Sequence, residues 1–459
     1  MRLYDTLRRE VTEFIPRHEG EVSIYACGPT VYSHPHLGHA RQAITYDIAR
    51  RYFEWAGYRV RHVANVTDID DKIISRALEE GSTEPEVAEY WKGIYDGAME
   101  ALNVLPPHDQ PHATQYVKQM VDFIATLVDN GSAYATDSGV YLRVRSVEDY
   151  GALIHRTPDE IAENAIARVE SDETKEDPLD FALWKAAKPG EPTWDSPWGP
   201  GRPGWHIECA AMSLDILDDD FDIHGGGDDL IFPHHTNERA EAIAAGRSFA
   251  RYWMHNAMLN IGGEKMSKSL GNFTTIQDLL DEDPLNARAL RLLLLQAHYR
   301  QILEINPEVI ATMRDGIRRL DSMARRAGLA GIDADSPERD TEAIDRFRAA
   351  MEEDFATPEA MGVVFDTVRK TNTALDSDSA EATPLALTAI ELANALGLQL
   401  SLDSTDSDDA DDEKIQQLVD ARNLAKTNKD YAESDRLRDE LTGMGITVED
   451  TANGPIWYR

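Results

Sequence analysis

Residues 21–40 read EVSIYACGPTVYSHPHLGHA, and this stretch decides the fold. Apolar and polar residues alternate over Glu21–Ala26, which predicts a half-buried β-strand. A helix is expected to open near Pro35 and to end near Gly57. A second strand is expected at residues 59–65, followed by a second helix. Strand, helix, strand and helix in this order predict the start of a parallel, Rossmann-like nucleotide-binding sheet, and therefore an α/β fold class.

Composition predicts a soluble, cytoplasmic protein of several domains. The 459 residues exceed the roughly 250–300 at which single cores stop growing. No run approaches the ~18 apolar residues that span a bilayer, and the charged segment Met1–Glu13 does not fit a secretory signal. Two cysteines give no disulfide framework, which favours a reducing compartment.

The formal net charge of −37 is spread along the chain. Such acidity is typical of a protein from a very salty cytoplasm and does not exclude an RNA partner.

Changes of composition along the chain predict six segments. An insertion with short strands splits the parallel sheet, and it includes a loop rich in Pro, Gly and Trp at Lys185–Pro203. An α-helical bundle follows the sheet, then a linker dominated by Asp and Ser at Ser401–Glu413, then a small α+β module with a hairpin at Asn453–Gly454. The predicted bounds are 1–104 and 204–283 for the halves of the sheet domain, 105–203 for the insertion, 284–400 for the bundle, 401–414 for the linker and 415–459 for the final module.

Both cysteines lie beside other potential metal ligands. Cys27 follows the first strand, and Cys209 ends the segment GWHIEC at residues 204–209. His234 and Glu238 are spaced i and i+4 at the start of a predicted helix, so their side chains are expected on one face. Thiolate, imidazole and carboxylate are all zinc donors, and the four residues predict a zinc site. Two functions stay open on these residues alone: a structural zinc, as four protein ligands normally give, or a zinc that recognises a thiol substrate.

Two short motifs indicate phosphate chemistry when they are taken together. His36-Leu-Gly-His39 opens the first helix, where backbone N–H groups and the helix dipole favour anions. Gly38 lets a base or ribose approach the backbone closely. Lys265-Met-Ser-Lys-Ser269 follows Gly262-Gly263 and carries two ammonium groups suited to a leaving pyrophosphate. Either motif alone is common in ordinary helix starts and solvated turns. The pair resembles the two ATP-binding signatures of class I aminoacyl-tRNA synthetases.

Five segments make the resemblance closer. They are similar to segments of cysteinyl-tRNA synthetases and occur in the same order along the whole chain, at residues 27–32, 65–72, 201–209, 224–238 and 265–273. The resemblance implies that L-cysteine is activated with ATP, accompanied by Mg²⁺, and then transferred to tRNA(Cys). It also implies a substrate function for the Zn²⁺, which would take the cysteine thiolate as an added ligand. An apolar pocket rejects a hydroxyl analogue by only ~10²-fold, which is too little to exclude serine.

The resemblance further implies functions for individual residues. The metal ligands would be Cys27, Cys209, His234 and Glu238. The residues that bind ATP and the leaving pyrophosphate would be His36, Gly38, His39, Lys265 and Lys268, with Asp229 near the ribose. The cysteine pocket would include Thr67, Trp205 and His224. The helical bundle and the final module would contact the tRNA, and a monomer is expected. One departure is Leu37, which stands where the family usually has Ile.

Two other functions are weighed against this one. A related enzyme that joins cysteine to an amino sugar would lack the final module 415–459, which this chain has. A catalytically silent paralogue that binds RNA or zinc would have no chemical need for both ATP motifs. The sequence therefore favours the synthetase function.

Overall fold

The structure, a computed structural model, describes residues 1–165, 174–261, 264–265, 275–402, 409–451 and 454–458. The chain divides into two compact units. The first comprises Met1–Ile310 and Met351–Ala356, and the second comprises Ala311–Ala350 and Thr357–Arg459. The finer division into six segments stays a prediction. Within the described ranges, no helix has the length and apolar character needed to cross a membrane.

A four-stranded parallel sheet forms the centre of the first unit. Its strands lie in the order Tyr252–Asn256, Ile223–Gly227, Glu21–Ala26 and Arg59–Ala64. Two strands precede the predicted insertion and two follow it, so the sheet is assembled from both sides of the insertion, as the sequence predicted. Ligands of open α/β sheets bind beyond the carboxyl ends of the strands. The predicted α/β fold class is confirmed.

The first helix, Leu37–Trp55, packs closely on this sheet. Ala40, Ile44 and Ile48 recur every four residues and are all buried. The Tyr46 hydroxyl donates to the carbonyl oxygen of Met254 at 2.6 Å, which ties the helix to an edge strand. A side chain at Gly225 would collide with the Tyr46 ring, so glycine permits this close approach.

The insertion forms a second, antiparallel sheet. Its strands lie in the order Ala133–Thr136, Gly139–Leu142, Phe181–Ala186 and Gly201–Pro203. The loop predicted at Lys185–Pro203 is therefore wrong at both ends, because Lys185 and Ala186 finish one strand and Gly201–Pro203 form the next. Such short strands offer too few alternating residues for a pattern to be recognised among Pro, Gly and Trp.

The remaining elements of the first unit are mainly helices. In the described residues they are Asp71–Glu80, Glu84–Ala101, Val117–Asp129, Pro158–Ala165, Trp205–Leu217, Thr236–Ala244, Ile276–Glu282 and Asn286–Leu295. A hairpin joins Arg2–Asp5 and Glu10–Glu13, and a small sheet joins Leu259–Ile261 with Glu264–Lys265 and Leu303–Ile305. The predicted helix that carries His234 and Glu238, at residues 233–245, follows a kink at Phe232, whose backbone is extended (φ −138°, ψ 130°). Its regular part is Thr236–Ala244.

The described part of the second unit is helical up to a C-terminal hairpin. Its helices are Pro307–Leu329, Thr341–Met351, Thr357–Asp376, Ala382–Ala395, Asp409–Thr427 and Tyr431–Gly443. The first of these begins in the first unit, and the second ends there. Strands Thr447–Thr451 and Gly454–Tyr458 pair antiparallel, as predicted, although Asn453 lies outside the described residues.

One helix of the second unit starts earlier than expected. Asp409–Thr427 begins inside the segment predicted as a linker. Ile415 and Val419 of this helix pack with Leu441 and Ile446, which anchors it. Acidic residues at a helix N-terminus are favoured by the helix dipole, so an Asp-rich segment can extend a helix rather than interrupt it.

Candidate active site and metal cluster

The two cysteines meet at the carboxyl edge of the parallel sheet. Cys27 directly follows the strand Glu21–Ala26, and its backbone N–H donates to the carbonyl oxygen of Gly225 at 3.0 Å. Cys209 lies in the helix Trp205–Leu217. The two Sγ atoms are 3.7 Å apart and both side chains are buried. The sheet topology therefore brings together two thiols that are 182 residues apart in sequence.

The four predicted metal ligands form one buried cluster. One donor atom from each of Cys27, Cys209, His234 and Glu238 lies within 4.8 Å of all the others. Oε1 of Glu238 is 3.7 Å from Sγ of Cys27 and 3.1 Å from Nε2 of His234. Usual zinc bond lengths in a tetrahedron separate two sulfurs by ~3.8 Å, sulfur from oxygen by ~3.6 Å and nitrogen from oxygen by ~3.4 Å. The donors therefore fit a metal ion of this size.

Two more histidines contact these donors. His224 is buried, with Nδ1 3.1 Å from the carbonyl oxygen of Tyr25 and Nε2 2.9 Å from Oε2 of Glu238. His235 is also buried, and its Nε2 lies 3.3 Å from Sγ of Cys27. Cys27, His224, His235 and Glu238 thus form a second set of mutually close donors. His224 thus contacts Oε2 of Glu238, while Oε1 of the same carboxylate faces the predicted ligands His234 and Cys27.

Burial disfavours the charged forms of the four predicted ligands. Burial, and then contact with Cys209, raises the pKa of the Cys27 thiol well above its usual value. Burial raises the pKa of Cys209 to about 11 and also raises the pKa of Glu238. It lowers the pKa of His234 well below its usual value. Two thiolates and a carboxylate at this spacing repel one another, so their ionised forms require a cation.

A close backbone contact fixes Cys27 against the neighbouring loop. The N–H of Gly28 donates to Oδ1 of Asn65 at 2.8 Å. A side chain at position 28 would overlap the carbonyl oxygen of Asn65. The same Oδ1 lies 3.6 Å from Sγ of Cys209. Glycine is therefore required at position 28, and Asn65 links the backbone beside one thiol to the other thiol.

Trp205 contacts the cluster and lines a large cleft. Its indole stacks on the His234 ring, with centroids 4.0 Å apart and 18° between the planes, and the residue is 38% exposed. The next residue, His206, places Nδ1 2.9 Å from Nδ1 of His234. Trp205 and His206 both border a cleft of about 1690 Å³. Of the residues predicted for the cysteine pocket, Trp205 thus borders the cleft, whereas Thr67 and His224 are buried.

The motif His36-Leu-Gly-His39 caps the first helix. Nδ1 of His36 accepts from the N–H of Gly38 at 3.1 Å, and Nδ1 of His39 accepts from the N–H of His36 at 3.1 Å. The two rings stack with centroids 3.7 Å apart. Since each Nδ1 accepts a backbone bond, each neutral ring carries its proton on Nε2. The predicted phosphate-binding histidines therefore supply Nε2–H donors at the positive end of a helix.

Described residues flank the lysine motif in the sequence. Lys265 lies in the strand Glu264–Lys265, and Lys268 lies outside the described residues. Thr275, where the described chain resumes, forms a β-bridge with His36. This bridge places Thr275 at the start of the first helix.

Asp229 lies at the same sheet edge. It belongs to the 3₁₀ turn Asp228–Leu230, directly after the strand Ile223–Gly227, and it is exposed. A side chain at Gly227 would collide with the Asp229 carboxylate. The glycine therefore allows the residue predicted near the ribose to lie against the backbone.

Several cations line the cleft in a chain whose net charge is −37. Arg9, Arg156 and Lys188 are exposed there. Among the residues that the structure describes, none of these three forms an ion pair with a carboxylate. Lys185 also borders the cleft and pairs with Asp71 at 2.8 Å. The cleft also carries the carboxylates of Asp70, Asp71, Asp180 and Asp228, so its lining presents both charges.

Known proteins match the chain along its full length. Residues 13–315 match the class I (C) catalytic domain of tRNA synthetases, residues 346–401 a DALR domain, and residues 408–459 the anticodon-binding domain of cysteinyl-tRNA ligases. The cysteine–tRNA ligase of Synechococcus elongatus is 45% identical over 477 residues, which cover 100% of this chain and 99% of the relative. The chain belongs to the cysteinyl-tRNA synthetase family.

Other relatives agree with this membership. The cysteine–tRNA ligase of Halorhodospira halophila is 45% identical over 467 residues, covering 100% of this synthetase chain and 99% of the relative. Among solved structures, Mycobacterium tuberculosis methionyl-tRNA synthetase in complex with methionyl-adenylate has a TM-score of 0.59 and 15% identity, covering 82% of this chain and 90% of its own. A putative arginyl-tRNA synthetase from Campylobacter jejuni has a TM-score of 0.55 and 13% identity, covering 85% and 95%. These structures show that the class I synthetase fold is shared.

Sequence reasoning missed three residues of the synthetase site. Thr67 donates through Oγ1 to Oε2 of Glu208 at 2.8 Å, and burial raises the pKa of Glu208 well above its usual value. Asn65 and Glu208 follow no local pattern that marks them as site residues. His206 had a usable signal, because it precedes Cys209 by three positions and so lies on the same side of the helix.

Proposed function

We propose that this protein is a cysteine–tRNA ligase. It would activate L-cysteine with ATP to cysteinyl-adenylate and pyrophosphate, and then transfer cysteine to the 3′ end of tRNA(Cys). The observation that carries the proposal is the buried cluster of Cys27, Cys209, His234 and Glu238 at the carboxyl edge of the sheet. The helix start capped by His36 lies at the same edge. A thiol-recognising group and a phosphate-recognising group are thereby combined in one site.

The metal of this cluster would be Zn²⁺, held by the two thiolates, the imidazole and the carboxylate. A bound zinc lowers the pKa of a thiol and holds sulfur strongly, whereas an alcohol stays protonated and coordinates weakly. Trp205 supports this assignment, because it touches the ligand His234 and also borders the cleft from which a substrate would enter. Thr67 and His224 would complete the pocket around the amino acid.

The activation step needs no side-chain nucleophile. An oxygen of the cysteine carboxylate would attack the α-phosphorus of ATP, and the bond to the bridging oxygen of pyrophosphate would break. His36 and His39 would donate Nε2–H bonds to the triphosphate, with Gly38 facing the nucleoside and Asp229 accepting from a ribose hydroxyl. Lys265 and Lys268 would neutralise the leaving pyrophosphate, accompanied by Mg²⁺. Catalysis would then consist of positioning and electrostatic stabilisation.

The cleft supports the transfer step. Single-stranded nucleic acid is bound by cations that neutralise phosphates and by aromatic rings that stack on bases. Arg9, Arg156 and Lys188 supply the cations, and the exposed ring of Trp205 supplies an aromatic surface. A terminal ribose hydroxyl of the tRNA would attack the carbonyl carbon of the adenylate, with release of AMP.

The match of residues 408–459 to an anticodon-binding domain favours tRNA over an amino sugar as acceptor. The enzyme would act as a cytoplasmic monomer.

Amino-acid-dependent ATP–pyrophosphate exchange tests the proposal. The assay is run in high salt with cysteine, serine and alanine, before and after zinc removal by a chelator. We expect exchange with cysteine, with serine and alanine far below it, and loss of the cysteine preference when zinc is removed. No exchange with cysteine would overturn the enzyme assignment. An unchanged preference without zinc would overturn the metal-based selection and leave the enzyme assignment intact.

Zinc binding is expected to release protons. The raised pKa values of Cys27 and Cys209 keep both thiols protonated at pH 7.5 without metal. Zinc binds thiolates, so about two protons should leave per ion, and the affinity should increase as the pH rises from 6 to 9. Calorimetric titration in buffers of different ionisation enthalpy measures the number of protons released per zinc ion. The variant Cys209→Ser should release one proton fewer, and equal release by both proteins would contradict the assignment.

A further inference from the structure

His206 makes one short polar contact with a predicted metal ligand. Its Nδ1 lies 2.9 Å from Nδ1 of His234. On the other side of the His234 ring, Nε2 lies 3.1 Å from Oε1 of Glu238 and therefore faces the donor cluster. His234 thus has one nitrogen toward the cluster and one toward His206.

The direction of the contact follows from the chemistry of a metal-bound imidazole. A metal takes the lone pair of Nε2, so the proton of the neutral ring must be on Nδ1. The Nδ1–H of His234 then donates, and Nδ1 of His206 accepts. Trp205 packs on the face of the His234 ring, and an indole N–H can only donate. Among the described residues, His206 is the group that accepts from this nitrogen.

The helix Trp205–Leu217 places His206 on the same side as the metal ligand Cys209. Cys209 follows His206 by three positions, so one helical turn carries a metal ligand and the group that contacts another ligand. The His206 ring also meets Phe181 edge to face, with centroids 5.3 Å apart. Such packing on a regular helix restricts the orientation of the imidazole.

We propose that His206 is a positioning residue for the metal site, whose Nδ1 fixes the tautomer and ring orientation of His234. This inference rests on the zinc part of the proposed function. Hydrogen-bonding partners of metal-bound histidines typically change metal affinity by about 10–100-fold when they are removed. His206 would exert its effect through His234 without touching the metal.

A pair of nearly isosteric variants tests the proposal. His206→Asn keeps an acceptor, Oδ1, close to the position of Nδ1, whereas His206→Leu keeps the branched shape and removes the acceptor. His18→Leu is the control for loss of an imidazole, because His18 lies in the loop before the strand Glu21–Ala26 and outside the cluster contacts. Zinc dissociation constants are measured by competition with a chromogenic chelator, and the absorption of the Co²⁺-substituted proteins reports ligand geometry.

We expect His206→Leu to weaken zinc binding by about 10–100-fold. His206→Asn should stay within about threefold of the unmodified protein, and His18→Leu should not differ from it. Zinc binding by His206→Leu at the unmodified affinity would overturn the proposal. Equal losses in the Asn and Leu variants would also overturn it, because packing of the ring would then account for the effect. If the unmodified protein binds no zinc, the zinc assignment fails, while ATP–pyrophosphate exchange still tests the enzyme separately.

Discussion

Replacing Cys209 with serine is expected to lower zinc affinity by about 10²–10³-fold, because the total free energy of binding of structural zinc, about 10–16 kcal/mol, is distributed over four ligands. The Cys209 sulfur lies 3.7 Å from that of Cys27 in a buried cluster, and a serine hydroxyl does not ionise there. Selection of cysteine over serine should then fall to the ~10²-fold or less that an apolar pocket provides.

Two measurements check the expectation for Cys209→Ser: zinc dissociation constants, and pyrophosphate exchange with cysteine and serine. Ser213→Ala is the matched control, because Ser213 is buried one turn further along the same helix and donates to the carbonyl oxygen of Ala210. The control should keep both the zinc and the selectivity. A Cys209→Ser protein with the zinc affinity of the control would contradict the ligand assignment.

Lys268→Ala is expected to slow cysteine activation by about 10²–10³-fold, the usual cost of removing one group that stabilises developing charge. The departing pyrophosphate is strongly negative, and a mobile ammonium neutralises it as the bond breaks. Lys268 lies outside the described residues, but Lys265 and Thr275 on either side of it are described, and Thr275 bridges to His36.

Zinc content and cysteine affinity should not change in Lys268→Ala, since neither depends on the pyrophosphate. The measurement combines exchange kinetics with equilibrium binding of cysteine. Lys118→Ala serves as the control, because Lys118 is an exposed lysine that pairs with Asp122 on the helix Val117–Asp129. Equal exchange rates in the two variants would refute the assigned function of Lys268.

Local patterns predicted the elements that are regular and long. Glu21–Ala26 was recognisable because one face of the strand is more buried than the other, and the first helix because its apolar residues recur at helical spacing. His234 and Glu238 were predicted as a pair for the same reason, since their relation is local. The segment Gly201–Pro203 was missed because three residues carry no period.

Contacts between distant segments could not be predicted in this way. The meeting of Cys27 with Cys209 depends on the strand order, which brings Ile223–Gly227 beside Glu21–Ala26. The bond from Thr67 to Glu208 joins residues that are 141 positions apart, and neither has a neighbour in sequence that signals it. The chemistry of the residues predicted the four ligands, and the family resemblance added a substrate function for the zinc. Only the fold explains why the four ligands share one buried space.

The stacking of Trp205 on His234 has a consequence for attempts to broaden substrate range by directed evolution. A smaller residue at position 205 would open the cleft toward bulkier thiols or selenols. The same change would remove the aromatic ring that packs on a metal-binding imidazole. Substrate scope and metal retention would therefore vary together at this position. To separate the two traits, a mutant library would need to enlarge the cavity from a wall that contacts neither His234 nor His206.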